Sequence, residues 1–190
     1  MIARVLQRFS FALLFCALSL AAARELAPGD VSPITFRDVD GNDLSTADGH
    51  VTILTVVTRE HETEAQAVAD QVPDEYLGNP KYRYITLVNF QGKLVGPIRS
   101  LTRVIIRNRL DGEAKKLRPE YAAKQIQRDP RKDVFVIADF DGAAVAKLGL
   151  TPANAQLLVF VFNGQGKLVK RFDQVPQGDA LAHAIKLAEH

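Results

Sequence analysis

The sequence predicts an α/β fold: a three-layer sandwich in which a mixed central sheet is flanked by helices and carries a helical insert. Three observations predict it. Residues 51–57 (VTILTVV), 134–138 (VFVIA) and 157–162 (LLVFVF) are short uncharged runs rich in β-branched and aromatic residues, the pattern of strands covered on both faces. Segments with apolar residues at helical spacing separate them, which implies βαβ crossovers and parallel pairing. The last run meets Asn163-Gly164-Gln165-Gly166 and then residues 167–172, a hairpin that adds an antiparallel edge.

Each element follows from its own residues. Residues 31–39 alternate Ile34 and Phe36 with polar neighbours, as a half-buried strand does. Asp40-Gly41-Asn42-Asp43 is turn chemistry, and Leu44-Ser45 is a short return strand. After the strand at 51–57, Ala65, Val68, Ala69 and Val72 recur at i, i+3, i+4 and i+7, so residues 63–72 form a helix closed by Pro73. Residues 82–90 (YRYITLVNF) make the next strand. Residues 97–110 are predicted as a helix with Leu101, Val104 and Ile105 on one side, ended by Asp111-Gly112. A second helix is predicted at 119–128, opened by Pro119 and closed before Pro130. After the strand at 134–138, Asp141-Gly142 turns into a short helix ending near Gly149. The last helix is predicted to start at an Asp179 cap and to bury Leu181, Ala184, Ile185 and Ala188. Residues 24–190 are expected to form one domain, with the insert at about 96–130.

Residues 1–23 read as a secretory signal. Arg4 and Arg8 precede the apolar run 9–20 (FSFALLFCALSL), and Ala21-Ala22-Ala23 offers small residues for cleavage before Arg24. The run is shorter than the roughly 20 residues of a spanning helix. The expected location is the periplasm or the cell exterior. An uncleaved anchor and lipidation at Cys16 are the alternatives. Cys16 is the only cysteine, so cleavage leaves a chain without disulfides and without a thiolate nucleophile. From Arg24 onward 22 basic residues balance 22 acidic ones. That excludes the overall basic excess of a nucleic-acid binder.

Several segments, in this order, resemble the thioredoxin fold, and more narrowly its extracytoplasmic branch of membrane-tethered thiol–disulfide oxidoreductases and peroxiredoxins. ITFRDVDGNDLS and GHVTILTVV are similar to that branch's lead-in hairpin and first core strand. VIADFDGAAVAKLGL is similar to its strand, turn and short helix, and LLVFVFNGQGKLVKRF to its terminal hairpin. In length, N-terminal signal and the Thr86-Leu87-Val88-Asn89 strand end followed by a long insert, the chain also resembles the small periplasmic YtfJ-type family. The resemblance implies a Cys-x-x-Cys pair just after the first core strand, where a helix N-terminus stabilises the thiolate. Here that place reads Thr58-Arg59-Glu60-His61-Glu62-Thr63-Glu64, with Glu62 and Ala65 as the counterparts of the cysteines. The resemblance also implies a cis-proline before a later strand. Ala155-Gln156-Leu157-Leu158 occupies that neighbourhood, and Pro152 lies several residues too early. A cis bond without proline costs roughly 2.5–4 kcal/mol, so a trans loop is expected. Redox activity is therefore not carried over.

Two constellations remain. Arg59, Glu60, His61, Glu62 and Glu64 form the degenerate loop. Imidazole and carboxylates there suit a divalent metal, but acidic residues in a first helical turn also simply favour the helix dipole, and the second reading is the expected one. Asp38-Val39-Asp40-Gly41 and Asp139-Phe140-Asp141-Gly142 lack the later Gly and Glu of a calcium loop and read as turns. The second constellation is the insert, where residues 93–132 hold twelve basic residues against four acidic ones. Arg99, Arg103 and Arg107 recur at i, i+4 and i+8 on the side opposite Leu101, Val104 and Ile105, and Lys115 and Lys116 follow. Such a stripe suits an anionic surface, or else pairs with the acidic remainder of the chain.

The expected function is that of a redox-inactive exported binding or accessory protein. It would engage a protein partner or an anionic envelope component through the insert, with peripheral membrane contact as one form of this. No nucleic acid, cofactor, metal or catalytic residue is assigned. The alternatives are a non-thiol enzyme centred on His61 and its glutamates, with metal dependence as one form of it, and a thiol–disulfide accessory protein.

Overall fold

The computed structural model describes residues 24–90, 92 and 96–190. The signal segment, Cys16 and Lys93 lie outside the described residues.

Strands β1 (Thr35–Arg37) and β2 (Asp43–Ser45) form a separate antiparallel hairpin. The remaining strands are β3 (Val51–Thr58), β4 (Tyr82–Asn89), β5 (Val134–Asp139), β6 (Leu158–Phe162) and β7 (Leu168–Phe172). They make one sheet in the order β5-β4-β3-β6-β7. β3–β4 and β4–β5 are parallel; β3–β6 and β6–β7 are antiparallel. The mixed sheet and the apolar runs that form it match the sequence expectation. All eight residues of β3 are buried, as a central strand covered on both faces requires.

Side-chain alternation sorts the core into layers. Leu54, Val56, Ile85, Leu87, Phe160 and Phe162 face one side, beneath Phe36 and Leu44 of the hairpin and Val145 of the short helix α3 (Ala143–Ala146). Ile53, Val159 and Val161 face the other, beneath Val68 of α1 (Glu62–Ala69) and Leu181, Ala184 and Ile185 of α4 (Ala180–Leu187). Each fully buried phenylalanine contributes about 1.5–3 kcal/mol of apolar burial. Asp179 stands at the N-cap of α4, but its side chain makes no cap bond. The expected aspartate cap is corrected on that point: the apolar face of α4 places the helix.

The insert departs furthest from expectation. In place of two helices there is one, α2 (Gly96–Ala123), running through both Asp111-Gly112 and Pro119. Leu110, Ala114 and Tyr121 are buried on its inner side, and Leu110 packs with Val39 and Val136. These buried residues flank both predicted breaks, and their packing outweighs the turn preference of Asp-Gly and the single hydrogen bond lost at an internal proline. The helix ends at Ala123. Gln125 takes a left-handed φ of 55°, while the Ile126 N–H donates to the Tyr121 carbonyl and the Gln125 N–H to that of Ala122, a Schellman arrangement.

At the N-terminal end of the sheet, the Arg83 guanidinium is nearly buried and donates to Asp48 at 2.7 Å and to the Ser45 carbonyl at 3.1 Å. His50 Nδ1 lies 2.8 Å from the same carboxylate. Burial opposes ionisation of Asp48, but the hydrogen bonds from Arg83 and His50 outweigh it and hold its pKa below the usual value. A depressed carboxylate stabilises the fold fully above the unfolded value of about 3.9 and loses that contribution as pH falls through the folded value. We expect Asp48→Asn to flatten the drop in melting temperature between about pH 4 and pH 2.5. Parallel acid profiles of the two proteins would refute the assignment.

Candidate functional site

The C-terminal ends of β3 and β4 meet the start of α1 and the loop before β6. Thr58 closes β3 in extended backbone, and its hydroxyl lies 2.7 Å from His61 Nδ1 and accepts from the Glu60 N–H at 3.3 Å. One short 3-10 turn, Arg59–His61, leads into α1, which starts at Glu62. The loop is thus built as a helix entrance, with Glu62 and Glu64 in the first turn, where carboxylates favour the positive end of the dipole. Arg59, Glu60 and Glu62 are exposed, while His61 and Glu64 are half-buried. Among the described residues no three His, Cys, Asp or Glu side chains converge as metal ligands.

Opposite this turn, Asn89 ends β4 and is 1% exposed. Its amide donates to the carbonyls of Pro152 and Ala155 at 2.7 and 2.9 Å. The approach to β6 is thereby fastened to the sheet, and no described peptide bond is cis. Asp139 closes β5 and accepts from the Gly142 and Val145 N–H groups, both at 2.9 Å. Gly142 has φ 83°, and a Cβ there would meet Pro152 Cγ at 2.7 Å, so only glycine fits. Asp38 likewise accepts from the N–H groups of Asp40 and Asn42. Both Asp-x-Asp-Gly segments are turns, as expected. Neither Asn89 nor Asp139 was a sequence candidate; the signal available was a polar residue ending an apolar strand.

The two constellations touch. Arg109 of α2 pairs with Glu62 in the first turn of α1. Between the two helices and the sheet lies a cleft of about 490 Å³, lined in part by Ala65, Val68, Tyr76, Leu117 and Tyr121.

The arginine stripe does not stand clear in solvent. Arg107 donates through Nε to the Val39 carbonyl at 2.8 Å and lies 3.4 Å from Asp40. Arg99 reaches the Phe140 carbonyl at 3.4 Å and Asp141 at 3.9 Å. Arg103 sits over the Phe140 ring at 5.1 Å. Arg103 and Arg107 keep part of their surface in solvent, but Leu101, Val104 and Ile105 are exposed as well and have no such partners in the body of the protein. The implied orientation of the helix is therefore reversed: guanidinium groups satisfy carbonyls and stack on an aromatic at the body of the protein, and the aliphatic set is left outside. Lys115 and Lys116 are exposed. Other insert cations pair within the chain: Lys124 with Asp74 and Glu120, Arg128 with Asp133, and Arg131 with Asp40 and Asp111.

Comparison with solved structures places this architecture in a class. The chain is similar to a protein described as a thiol:disulfide interchange protein DsbE from Chlorobium tepidum, at TM-score 0.54 and 13% identity over 86% of this chain and 99% of that one. It is similar to a secreted thiol-disulfide isomerase from Corynebacterium glutamicum, at TM-score 0.51 and 17% identity over 85% and 86% of the two chains. A DsbF homologue from Corynebacterium diphtheriae gives TM-score 0.50 at 17% identity, over the same shares. The fold is thioredoxin-like. No family model matches the chain, and no curated protein matches it in sequence.

Proposed function

We propose that this chain is an exported accessory protein of a thiol–disulfide system, which binds a partner and exchanges no thiols itself. One observation carries the reading. The place where this fold would present a reactive pair, the first turn of α1, holds Glu62-Thr63-Glu64-Ala65, and the only cysteine of the sequence is Cys16 in the signal-like segment. The similarity to thiol–disulfide proteins supports the system, and the missing thiols support binding over chemistry.

The binding face centres on Arg59, Glu60, His61, Glu62 and Glu64, extends over the cleft beside α1 and is bordered by α2. Arg99, Arg103 and Arg107 set the position of that helix, and Lys115 and Lys116 give the border its positive charge. Glutamates at the degenerate turn would oppose a partner's thiolate, so the partner is expected to present a surface other than its reactive sulfur.

In an insulin-reduction assay the protein recovered after export is expected to match the buffer blank. A photo-crosslinking residue at position 64 is expected to capture an identified cysteine-bearing exported oxidoreductase, and one at Gln165, at the far hairpin turn, is not. Reduction above the blank, or equal capture at both positions, overturns the proposal.

A further inference from the structure

Ile98, Leu101, Val104 and Ile105 of α2 are 49%, 60%, 48% and 51% exposed. With about 100° between successive helical residues, Ile98, Leu101 and Ile105 fall within about 60° of one another, and Val104 borders them. Four large apolar side chains on two turns make a contiguous patch, and such a patch marks an interaction surface where a single exposed leucine would not. The inner side of the helix is already engaged, through Leu110, Ala114 and Tyr121 in the core and through Arg99 and Arg107 on backbone carbonyls. Further along the helix stand Lys115 and Lys116 on the outer side and Arg118 at its margin, all exposed. Lys116 pairs with Glu113 of its own helix at 2.7 Å. Lys115 and Arg118 have no carboxylate partner among the described residues.

We propose that this face of α2 docks in plane on an anionic lipid bilayer, with Ile98, Leu101, Val104 and Ile105 at the headgroup–acyl boundary and Lys115, Lys116 and Arg118 at the lipid phosphates. The stretch from Ile98 to Arg118 is about 30 Å long, the size of an interfacial helix. No described helix is long and apolar enough to cross a membrane, so this one lies on the surface. Charge selects the occupant. A second copy packed antiparallel on the apolar patch would carry its own cations to the opposite end and leave both sets without counter-charge, whereas lipid phosphates complement them. The inference goes beyond the partner reading by giving the border lysines a lipid contact, and the two fail separately, since lipid binding by α2 and capture at position 64 are separate measurements.

The test is sedimentation of the exported form, its N-terminus fixed by intact mass, with phosphatidylcholine vesicles containing roughly 30% phosphatidylglycerol and with phosphatidylcholine alone. We expect binding to the anionic vesicles only. Leu101→Glu/Ile105→Glu should weaken it about tenfold or more, the uncharged Leu101→Ser/Ile105→Ser should also weaken it, and Lys115→Glu/Lys116→Glu should do so by about tenfold. Equal binding to neutral vesicles, no binding to either, or wild-type binding by the Leu101/Ile105 variants overturns the proposal. A concentration-dependent dimer abolished by Leu101→Ser/Ile105→Ser, or capture of an acidic protein from position 101 in place of lipid, overturns it as well.

Discussion

Thiol–disulfide activity is expected to appear in a Glu62→Cys/Ala65→Cys variant, above the blank level proposed for the parent protein. Residues 62 and 65 lie one turn apart in the first turn of α1, the spacing and helix position at which a Cys-x-x-Cys pair is oxidised and its outer thiolate stabilised. Losing Glu62 also releases Arg109 from its ion pair, which leaves a cation beside the new sulfur. Glu60 and Glu64 work against this, so the outer thiol should fall below the ordinary value of about 8.5 without reaching the extreme of strong oxidants. The measurements are a free-thiol count after mild oxidation, the pH dependence of alkylation and insulin reduction, all in a Cys16→Ser background. Glu62→Ser/Ala65→Ser serves as the control. Two thiols that never pair within one molecule would mean that α1 does not present the reactive turn assigned to it.

The largest expected loss of stability comes from Asn89→Leu, at about 2–4 kcal/mol. The side chain is similar in size, so little volume changes, but the buried carbonyls of Pro152 and Ala155 lose the amide that donates to them. Unsatisfied buried acceptors cost more than the net worth of the bond that served them. Urea unfolding should show a lower midpoint with an unchanged slope. A change under about 0.5 kcal/mol would show that the approach to β6 is held by other contacts. The effect should be larger than that of the acid-sensitive Asp48 cluster, because Asp48 is partly exposed and solvent screens its pairing.

Strands were legible because burial on both faces demands uninterrupted apolar runs, and VTILTVV and LLVFVF meet that demand locally. The site turn was legible as an absence of sulfur. Its geometry was not, since the contacts that shape it join residues far apart in sequence: Asn89 to Pro152 and Ala155, and Arg109 to Glu62. Asp111-Gly112 and Pro119 read as breaks because a local window cannot see that Leu110 meets Val39 and Val136 on the body of the protein.

By itself the sequence determined the alternation of strand and helix, the closing hairpin and the lack of any thiol after residue 16, since each depends only on residue type and order. The tertiary structure alone decided which side of α2 is covered. Helical periodicity defines an arginine side and an aliphatic side but does not say which one meets the protein. The answer rests on what the neighbouring surface offers, and here Phe140, Asp40 and the Val39 carbonyl offer partners for guanidinium groups, so the apolar side is the one turned outward.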